Sequence, residues 1–157
     1  LSMIGESSRK IIDSMSDIVW AINPQNDSFD KIIFRMRSLA HNLLKAKKIE
    51  CTFKTDESFD KINLPMEIRK NFYLIFKEAL NNLVKYSGAS RASVLVTREG
   101  KTVTFIIRDN GIGFNSAVNY SGNGINNMKR RAKEINAELY IETSPGNGTS
   151  VQLNLKA

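Results

Sequence analysis

Residues 76–90 read FKEALNNLVKYSGAS and continue the most regular helical pattern in the chain. Apolar side chains recur before and within this stretch at steps of three and four, the spacing of a helix that packs one face against a core. Those positions are Ile68, Phe72, Ile75, Ala79 and Leu83. Pro65 precedes them and suits the first turn of a helix, because its missing N–H would have no helical partner there. The stretch therefore predicts a core-facing helix.

The other side of this helix carries polar groups in a row. Glu78, Asn82 and Lys85 are separated by four and three residues, so a carboxylate, an amide and an ammonium share one face. A solvated helix face can carry the same residues, with Glu78 paired to a neighbouring lysine. The row is a candidate site whose meaning depends on the rest of the chain.

Further helices and strands are predicted on both sides of this helix. Two amphipathic helices come first, one ending before Pro24 and one capped by Asp27 or Ser28, and an alternating strand follows at residues 49–53. After the central helix come a hairpin, a glycine-rich loop, a helix from Ile125 and a second hairpin. The hairpin strands are expected at residues 94–96, 103–107, 138–142 and 150–155. An α+β two-layer sandwich, a mixed sheet with helices on one face preceded by an N-terminal helix, buries these stripes most simply.

Three segments combine glycine with polar residues: DNGIG at residues 109–113, GNG at 122–124 and GNGT at 146–149. Glycine lets the backbone approach a ligand or adopt positive φ, and a helix N-terminus offers free N–H groups to phosphates. Each segment alone is weak, since Asp-Asn-Gly and Gly-Asn-Gly also form ordinary turns. Neither a Walker sequence nor a Rossmann fingerprint is present. The set favours phosphate or nucleotide chemistry of another kind.

Taken in order, the polar helix face, DNGIGF, GNG before a helix and GNGT between strands resemble the four boxes of the GHKL ATPase superfamily. That superfamily comprises histidine kinases, DNA gyrase B, the Hsp90 chaperones and MutL. The resemblance covers about residues 50–156. It implies the Bergerat ATP-binding fold, with ATP and Mg²⁺ as ligands.

Two stretches narrow the resemblance to kinases. FKEALNNLVKYSGAS is similar to the N-box of sensor histidine kinases that pair with LuxR-type response regulators. DIVWAINPQNDSF, at residues 17–29, is similar to the dimerisation-helix end and linker of such kinases, particularly those of Bacteroidetes. Residues 1–24 then correspond to the end of the dimerisation helix and its linker, and residues 25–157 to the catalytic domain. The resemblance implies a homodimeric full-length protein, a response regulator as partner, and a phosphate-accepting histidine outside this chain.

The resemblance also implies roles for the polar residues. Asp109 matches the carboxylate that accepts a hydrogen bond from the adenine amino group, where guanine offers a carbonyl. Asn82 matches the Mg²⁺ ligand, since an amide oxygen is a suitable hard donor. Glu78 matches a carboxylate that polarises water or helps to remove a proton. Lys85 is expected near the phosphates.

The remaining correspondences form the walls of the site. Gly111 and Gly113 match the turn over the base, and Gly122 and Gly124 match the end of the lid. Thr149 matches the threonine near the adenine pocket.

Two tyrosines belong to the same region. Tyr120 lies in the lid, at about residues 115–121, and is expected either to pack on the nucleotide or to be exposed. Tyr86 stands where many relatives have histidine, which is a departure from the family pattern. Its hydroxyl can still donate a hydrogen bond and its ring can cover the site, so Tyr86 is included among the nucleotide-binding residues.

Composition excludes several other functions. The 157 residues are 41% hydrophobic and 25% charged, which is ordinary for one globular domain. A single cysteine, Cys51, and a single histidine, His41, leave no internal disulfide, no metal site built from histidine and cysteine, and no local nucleophile-and-base signature. Cys51 is interpreted as a buried thiol, and His41 as a surface or boundary residue that does not accept phosphate.

No apolar run approaches the roughly 18 residues that span a bilayer. The domain is therefore expected in the cytoplasm, and the full-length protein at the inner membrane through regions outside this chain.

Two other functions stay open. A non-catalytic interaction module of the same fold would bind nucleotide weakly or not at all; the complete motifs disfavour it, and Tyr86 is the one hint for it. The net charge of +7 also suits a polyanion such as nucleic acid. The basic residues are scattered apart from short clusters at 45–48 and 129–131, and the aromatic residues follow core stripes, so nucleic acid is not expected as a partner.

Overall fold

The fold is built on a five-stranded sheet, with its elements in the order predicted from the sequence. The structure is a computed structural model that describes residues 2–56, 59, 61–117 and 122–157. The elements are α1 (Ser2–Ile22), α2 (Phe29–Ala46), β1 (Glu50–Thr55), α3 (Met66–Tyr86), β2 (Arg91–Glu99), β3 (Thr102–Asp109), α4 (Gly124–Glu134), β4 (Glu138–Thr143) and β5 (Thr149–Lys156). A single 3-10 turn, Pro24–Asn26, follows α1.

The sheet is mixed, as predicted. Its strand order is β1-β2-β3-β5-β4, with β1 parallel to β2 and the other neighbours antiparallel. One row of paired residues crosses the whole sheet on its inner face. This row is Phe53, Val94, Ile107, Val151 and Ile141.

The helices cover that inner face. Along β2 and β3 every second side chain is buried, which is the pattern of a sheet with one face against a core. Phe105 of β3 lies 5.3 Å from Phe72 and 5.6 Å from Phe76, both on α3 and both edge-on to its ring. The predicted α+β two-layer sandwich is confirmed.

Several boundaries differ from the prediction by a few residues. Pro65 is the N-cap of α3 and not part of its first turn, and Ser28 caps α2 by position without a side-chain hydrogen bond. β2 begins at Arg91 because backbone pairing with β1 includes residues whose side chains carry no strand signal. Cys51 is half-buried, whereas burial was expected, because β1 is an edge strand.

The end of α1 is anchored on α2 and α3. The buried carboxylate of Asp17 pairs with Arg35 of α2 at 2.8 Å and also contacts the ammonium of Lys77 of α3. Arg35 lies over the ring of Trp20, 4.6 Å from its centroid. The buried Arg69 donates a hydrogen bond to the carbonyl of Ala21 at 2.9 Å. The last two turns of α1 are therefore fixed to the sandwich.

Along its whole length, including the docked end, α1 carries apolar side chains that are exposed. They are Met3, Ile4, Ile11, Ile12, Met15, Ile18, Val19 and Ile22. In the described part of the chain, no helix has the length and hydropathy needed to cross a membrane.

Candidate nucleotide site

The α3 face that carries Glu78 and Asn82 packs against the start of α4. Both side chains are half-buried. A Cβ built on Gly124, the first residue of α4, would lie 2.3 Å from the Glu78 Oε1 atom and 3.3 Å from both the oxygen and the nitrogen of the Asn82 amide. Two segments predicted as separate boxes therefore meet, and a side chain at position 124 would displace the Glu78 carboxylate.

The start of α4 brings backbone donors to the same place. Asn123 occupies the N-cap position, and its side chain forms no capping hydrogen bond with the residues that the structure describes. The first N–H groups of a helix lack helical acceptors and carry partial positive charge. A phosphate group can accept hydrogen bonds from them.

Asp109 ends β3, and backbone N–H groups hold its carboxylate. Oδ1 accepts a hydrogen bond from the N–H of Gly111 at 2.8 Å, and the N–H of Thr149 donates to the same carboxylate. Burial raises the pKa of Asp109 above its ordinary value of 3.8, while the two N–H groups act in the opposite direction. The structure thus brings Asp109 and Thr149 together in one acceptor-lined corner.

Two glycines let the turn after Asp109 lie against its neighbours. A Cβ on Gly111 would lie 2.2 Å from the carbonyl oxygen of Ser87, the residue that follows α3. That oxygen also accepts a hydrogen bond from the N–H of Ile112 at 2.8 Å. Gly113 has a φ of 59°, and a Cβ there would lie 2.1 Å from the carbonyl oxygen of Ser144. The turn is therefore wedged between the end of α3 and the β4–β5 connection.

Gly148 and Asn110 also shape this turn, although neither was among the predicted site residues. Gly148 has a φ of 70°, and a Cβ there would lie 2.1 Å from the carbonyl oxygen of Asp109. The Asn110 side-chain oxygen accepts hydrogen bonds from the N–H groups of Ser90 and Arg91 at 3.0 and 2.9 Å. Both residues lie in the glycine segments at 109–113 and 146–149, but this position in the sequence predicts only an ordinary turn and not a contact within the site.

Thr143 is a third residue that sequence reasoning missed. Its hydroxyl accepts a hydrogen bond from the N–H of Phe114 at 3.0 Å, lies 3.1 Å from the carbonyl oxygen of Gly148 and lies 3.0 Å from the hydroxyl of Thr149. A threonine in a strand carries no motif signal of its own. Its role follows from the pairing of Thr143 with Thr149 across β4 and β5.

Arg131 of α4 is a fourth missed residue. It is half-buried and donates a hydrogen bond at 2.9 Å to the side-chain oxygen of Asn71, a fully buried residue of α3. Burial lowers the pKa of Arg131, and carboxylates that include Glu78 oppose that shift. Arg131 therefore brings a half-buried cation of α4 to the polar side of α3.

Three residues of the predicted set lie at the margin of this region. Lys85 and Tyr86 are exposed at the end of α3, with 69% of Tyr86 accessible. A Cβ on Gly122 would meet no described atom within 4 Å. Tyr120 and most of the predicted lid lie outside the described residues.

The donor set fits a Mg²⁺ ion held chiefly by its ligand. Across the described ranges, no group of three or more histidine, cysteine, aspartate or glutamate side chains could hold a metal ion. Asn82 and Glu78 nevertheless offer oxygen atoms beside the start of α4. Mg²⁺ commonly takes one or two protein oxygens and completes its shell with phosphates and water, so these residues suit it.

A family model matches the part of the chain that contains these residues. The model described as histidine kinase-, DNA gyrase B-, and HSP90-like ATPase matches residues 67–157, which include all the predicted site residues. The chain belongs to this ATPase family. The matched part is the ATP-binding catalytic domain of a sensor histidine kinase.

Similar members of this ATPase family include curated sensor kinases. The chain is 29% identical over 92 residues to the signal transduction histidine-protein kinase/phosphatase DegS of Brevibacillus brevis. The matched region covers 58% of this chain and 24% of DegS. It is 30% identical over 91 residues to the sensor protein VraS of Staphylococcus epidermidis, which covers 57% and 26% respectively. The chain thus spans about a quarter of the length of these relatives.

Solved structures share the fold. The histidine kinase domain of the Erythrobacter litoralis blue-light activated histidine kinase aligns with a TM-score of 0.68 at 17% identity, over 99% of this chain and 82% of that one. The histidine kinase AdeS of Acinetobacter baumannii aligns with a TM-score of 0.67 at 11% identity, over 96% and 79%. α1 is included in both alignments at these coverages.

Proposed function

We propose that the chain binds Mg²⁺-ATP between α3, the 109–114 turn, the start of α4 and the β4–β5 connection, and that the intact protein transfers the γ-phosphoryl group to a histidine outside this chain. This region is called the nucleotide cleft below. The observation that carries the proposal is a pair of polar corners: Asp109 with Thr149 at one, and Asn82 with Gly124 at the other.

The first corner suits adenine. Asp109 is an acceptor fixed by two backbone N–H groups, so it meets the adenine amino group as a donor and the guanine carbonyl as a second acceptor. Gly111 and Gly113 let the turn lie close enough to cover a base. Tyr86, exposed at the end of α3, is proposed to cover the nucleotide with its ring.

The second corner suits the phosphates. The uncapped N–H groups of α4 and the ammonium of Lys85 attract anionic oxygens, and Asn82 supplies an oxygen ligand for Mg²⁺, which neutralises charge on the phosphates when bound. Glu78 is proposed to orient or deprotonate an attacking group, and its half-buried position beside Gly124 supports this role. Gly122 and Gly124 follow the predicted lid at about residues 115–121, and Gly124 begins α4.

The acceptor histidine is proposed to lie on a helix that precedes residue 1. His41 is exposed on α2 and belongs to the catalytic domain, residues 25–157, so it is not the acceptor. Residues 1–24 are proposed to be the end of a dimerisation helix and its linker. The exposed apolar side chains of α1 are then covered by neighbouring helices of a homodimeric bundle.

The wider setting is also a proposal. The similarity of residues 17–29 and 76–90 to one kinase subfamily, Bacteroidetes-like, supports a LuxR-type response regulator as the phosphate acceptor downstream. The domain is proposed to act in the cytoplasm, with the full-length protein attached to the inner membrane by segments outside residues 1–157.

Calorimetric titration with a non-hydrolysable ATP analogue, with and without Mg²⁺, tests the core of this proposal. The wild-type chain is expected to bind the ATP analogue in preference to the GTP analogue. Asp109→Asn is expected to weaken binding at least about tenfold, since a hydrogen bond to a charged group is lost. Asp27→Asn, on an exposed carboxylate away from the cleft, is the matched control. Absence of binding by the wild-type chain would instead favour a non-catalytic interaction module.

A further inference from the structure

Thr143 connects three parts of the nucleotide cleft through one hydroxyl group. Its oxygen lies 3.0 Å from the N–H of Phe114, in the turn after Asp109. It lies 3.1 Å from the carbonyl of Gly148 and 3.0 Å from the hydroxyl of Thr149, both in the β4–β5 connection and its strand. Thr143 is half-buried and belongs to β4, so it lies outside the glycine motifs.

The direction of each hydrogen bond follows from the chemistry of the partners. A hydroxyl has one proton and two lone pairs. The Phe114 N–H donates a hydrogen bond to one lone pair of the Thr143 hydroxyl. The Gly148 carbonyl can only accept, so the Thr143 hydroxyl donates its hydrogen bond to that carbonyl. The remaining lone pair of Thr143 then accepts the proton of the Thr149 hydroxyl. In this assignment the Thr143 hydroxyl donates one hydrogen bond and accepts two, which uses its proton and both lone pairs.

We infer that Thr143 is a positioning residue that sets nucleotide specificity by fixing the Thr149 hydroxyl as an acceptor. With its proton held by Thr143, Thr149 presents only lone pairs to a ligand. Asp109 lies beside it, bonded to the Thr149 N–H, and is also an acceptor. The inference rests on the proposed ATP site and adds to it a residue that does not touch the nucleotide.

Two adjacent acceptors select the group at position 6 of a purine. The exocyclic amino group of adenine carries two N–H donors, one for each acceptor. The carbonyl of hypoxanthine or guanine at the same position would face two acceptors without a proton between them, which is unfavourable in a half-buried corner. If Thr143 could not take the Thr149 proton, that hydroxyl would be free to donate to a carbonyl.

The test compares the affinities of ATP and inosine triphosphate, which carries a carbonyl at position 6, for the wild-type chain and three variants. Thr143→Val removes the acceptor for the Thr149 proton, so the ATP preference is expected to fall about tenfold, the equivalent of one hydrogen bond. Thr143→Ser keeps the hydroxyl and is expected to keep the wild-type ratio. Thr149→Val removes the hydroxyl itself and is expected to lower the ratio as Thr143→Val does.

The ratio separates specificity from loosening of the fold, because damage to the cleft weakens both nucleotides together. Equal losses of ATP and inosine triphosphate affinity in Thr143→Val would overturn the inference. If Thr143→Val does not fold, an unchanged ratio in Thr149→Val overturns it as well. Failure of the proposed function looks different: the wild-type chain itself would not bind ATP, or Asp109→Asn would bind as tightly as the wild type.

Discussion

Gly124 is held against Glu78 so closely that a Cβ on the glycine would lie 2.3 Å from the Glu78 carboxylate. The contact joins the first residue of α4 to the polar face of α3. Because the carboxylate is the end of a flexible side chain, alanine at this position displaces Glu78 without unfolding the chain.

Gly124→Ala is therefore expected to leave the melting temperature nearly unchanged and to weaken Mg²⁺-dependent ATP binding several-fold. Displaced Glu78 and the crowded Asn82 amide, 3.3 Å from the added carbon, no longer present their oxygens correctly. Calorimetry with and without Mg²⁺ measures the effect. Gly122→Ala is the matched control because its Cβ meets no described atom within 4 Å. Equal effects of the two substitutions would contradict this prediction.

Gly148→Ala is expected to destabilise the fold more than Gly146→Ala. Both glycines have positive φ, 70° and 82°, so each alanine incurs about 1–2 kcal/mol of backbone strain. Only at position 148 does the new carbon also meet backbone, 2.1 Å from the carbonyl oxygen of Asp109. Overpacking adds about 1–3 kcal/mol. Urea denaturation of both variants measures the difference, and equal midpoints would show that the close approach is not needed.

Asp109→Asn is expected to unfold at a higher urea concentration than the wild type at pH 7, although it binds ATP worse. Burial raises the pKa of Asp109 in the folded state, so the ionised carboxylate costs stability as the pH rises through that pKa. An amide has no such cost. The gap between the two proteins should narrow as the pH is lowered toward 3.8, the ordinary pKa of the group. A wild type that is more stable than the variant at pH 7 would refute this expectation.

Asp17→Asn is expected to release the end of α1 from the sandwich. The substitution leaves Arg35 and Lys77 without their buried counter-charge, and removal of one partner from a buried ion pair typically costs about 3–5 kcal/mol. Undocking of α1 limits that cost by returning both cations to water. Trp20 is the one tryptophan of the chain, so a red shift of its fluorescence reports the release.

Asp13→Asn is the control for that substitution. Asp13 lies one turn earlier on the same helix and is exposed. A red shift of equal size in both variants would mean that Asp17 does not hold Trp20 in place.

Arg131→Met is expected to destabilise the contact between α3 and α4 and to slow phosphoryl transfer in the intact kinase. It removes the donor to the fully buried Asn71, which costs about 1–3 kcal/mol, and a half-buried cation whose neighbouring carboxylates include Glu78. Arg130→Met removes only an exposed pair with Glu134, worth about 0–1 kcal/mol. Denaturation and initial rates distinguish the variants, and a harmless Arg131→Met would exclude this role.

The fold was predictable where one stripe or one alternation decides burial. α3 is the clearest example, since Phe72, Ile75 and Ala79 repeat on one face and all three are buried. The exact ends of β2 were not predictable, because backbone pairing with β1 extends to Arg91 regardless of its side chain. Pro65 was placed one residue too far into the helix for a similar reason, since cap geometry is decided by the backbone.

The sequence indicated the segments of the candidate site, but it did not indicate the contacts between them. Asp109 and Gly124 stand in recognisable segments, whereas Thr143 and Arg131 act through partners that only the tertiary structure brings near. The Thr143 contact depends on the register of β4 against β5, and the Arg131 contact on the approach of α4 to α3. Neither register nor helix approach is encoded in a local pattern.

Lys77 and Glu78 are consecutive on α3, yet Lys77 holds the end of α1 while Glu78 faces the start of α4. Consecutive side chains of a helix point about 100° apart, so α3 contacts α1 and α4 in directions that differ by about that angle. Arg69 also contacts α1, through the carbonyl of Ala21, so insertion or deletion of a single residue between Arg69 and Lys77 would turn these two α1 contacts apart by that angle. The length of this segment of α3 should thus be fixed in descendants of the chain, even where its exposed side chains drift.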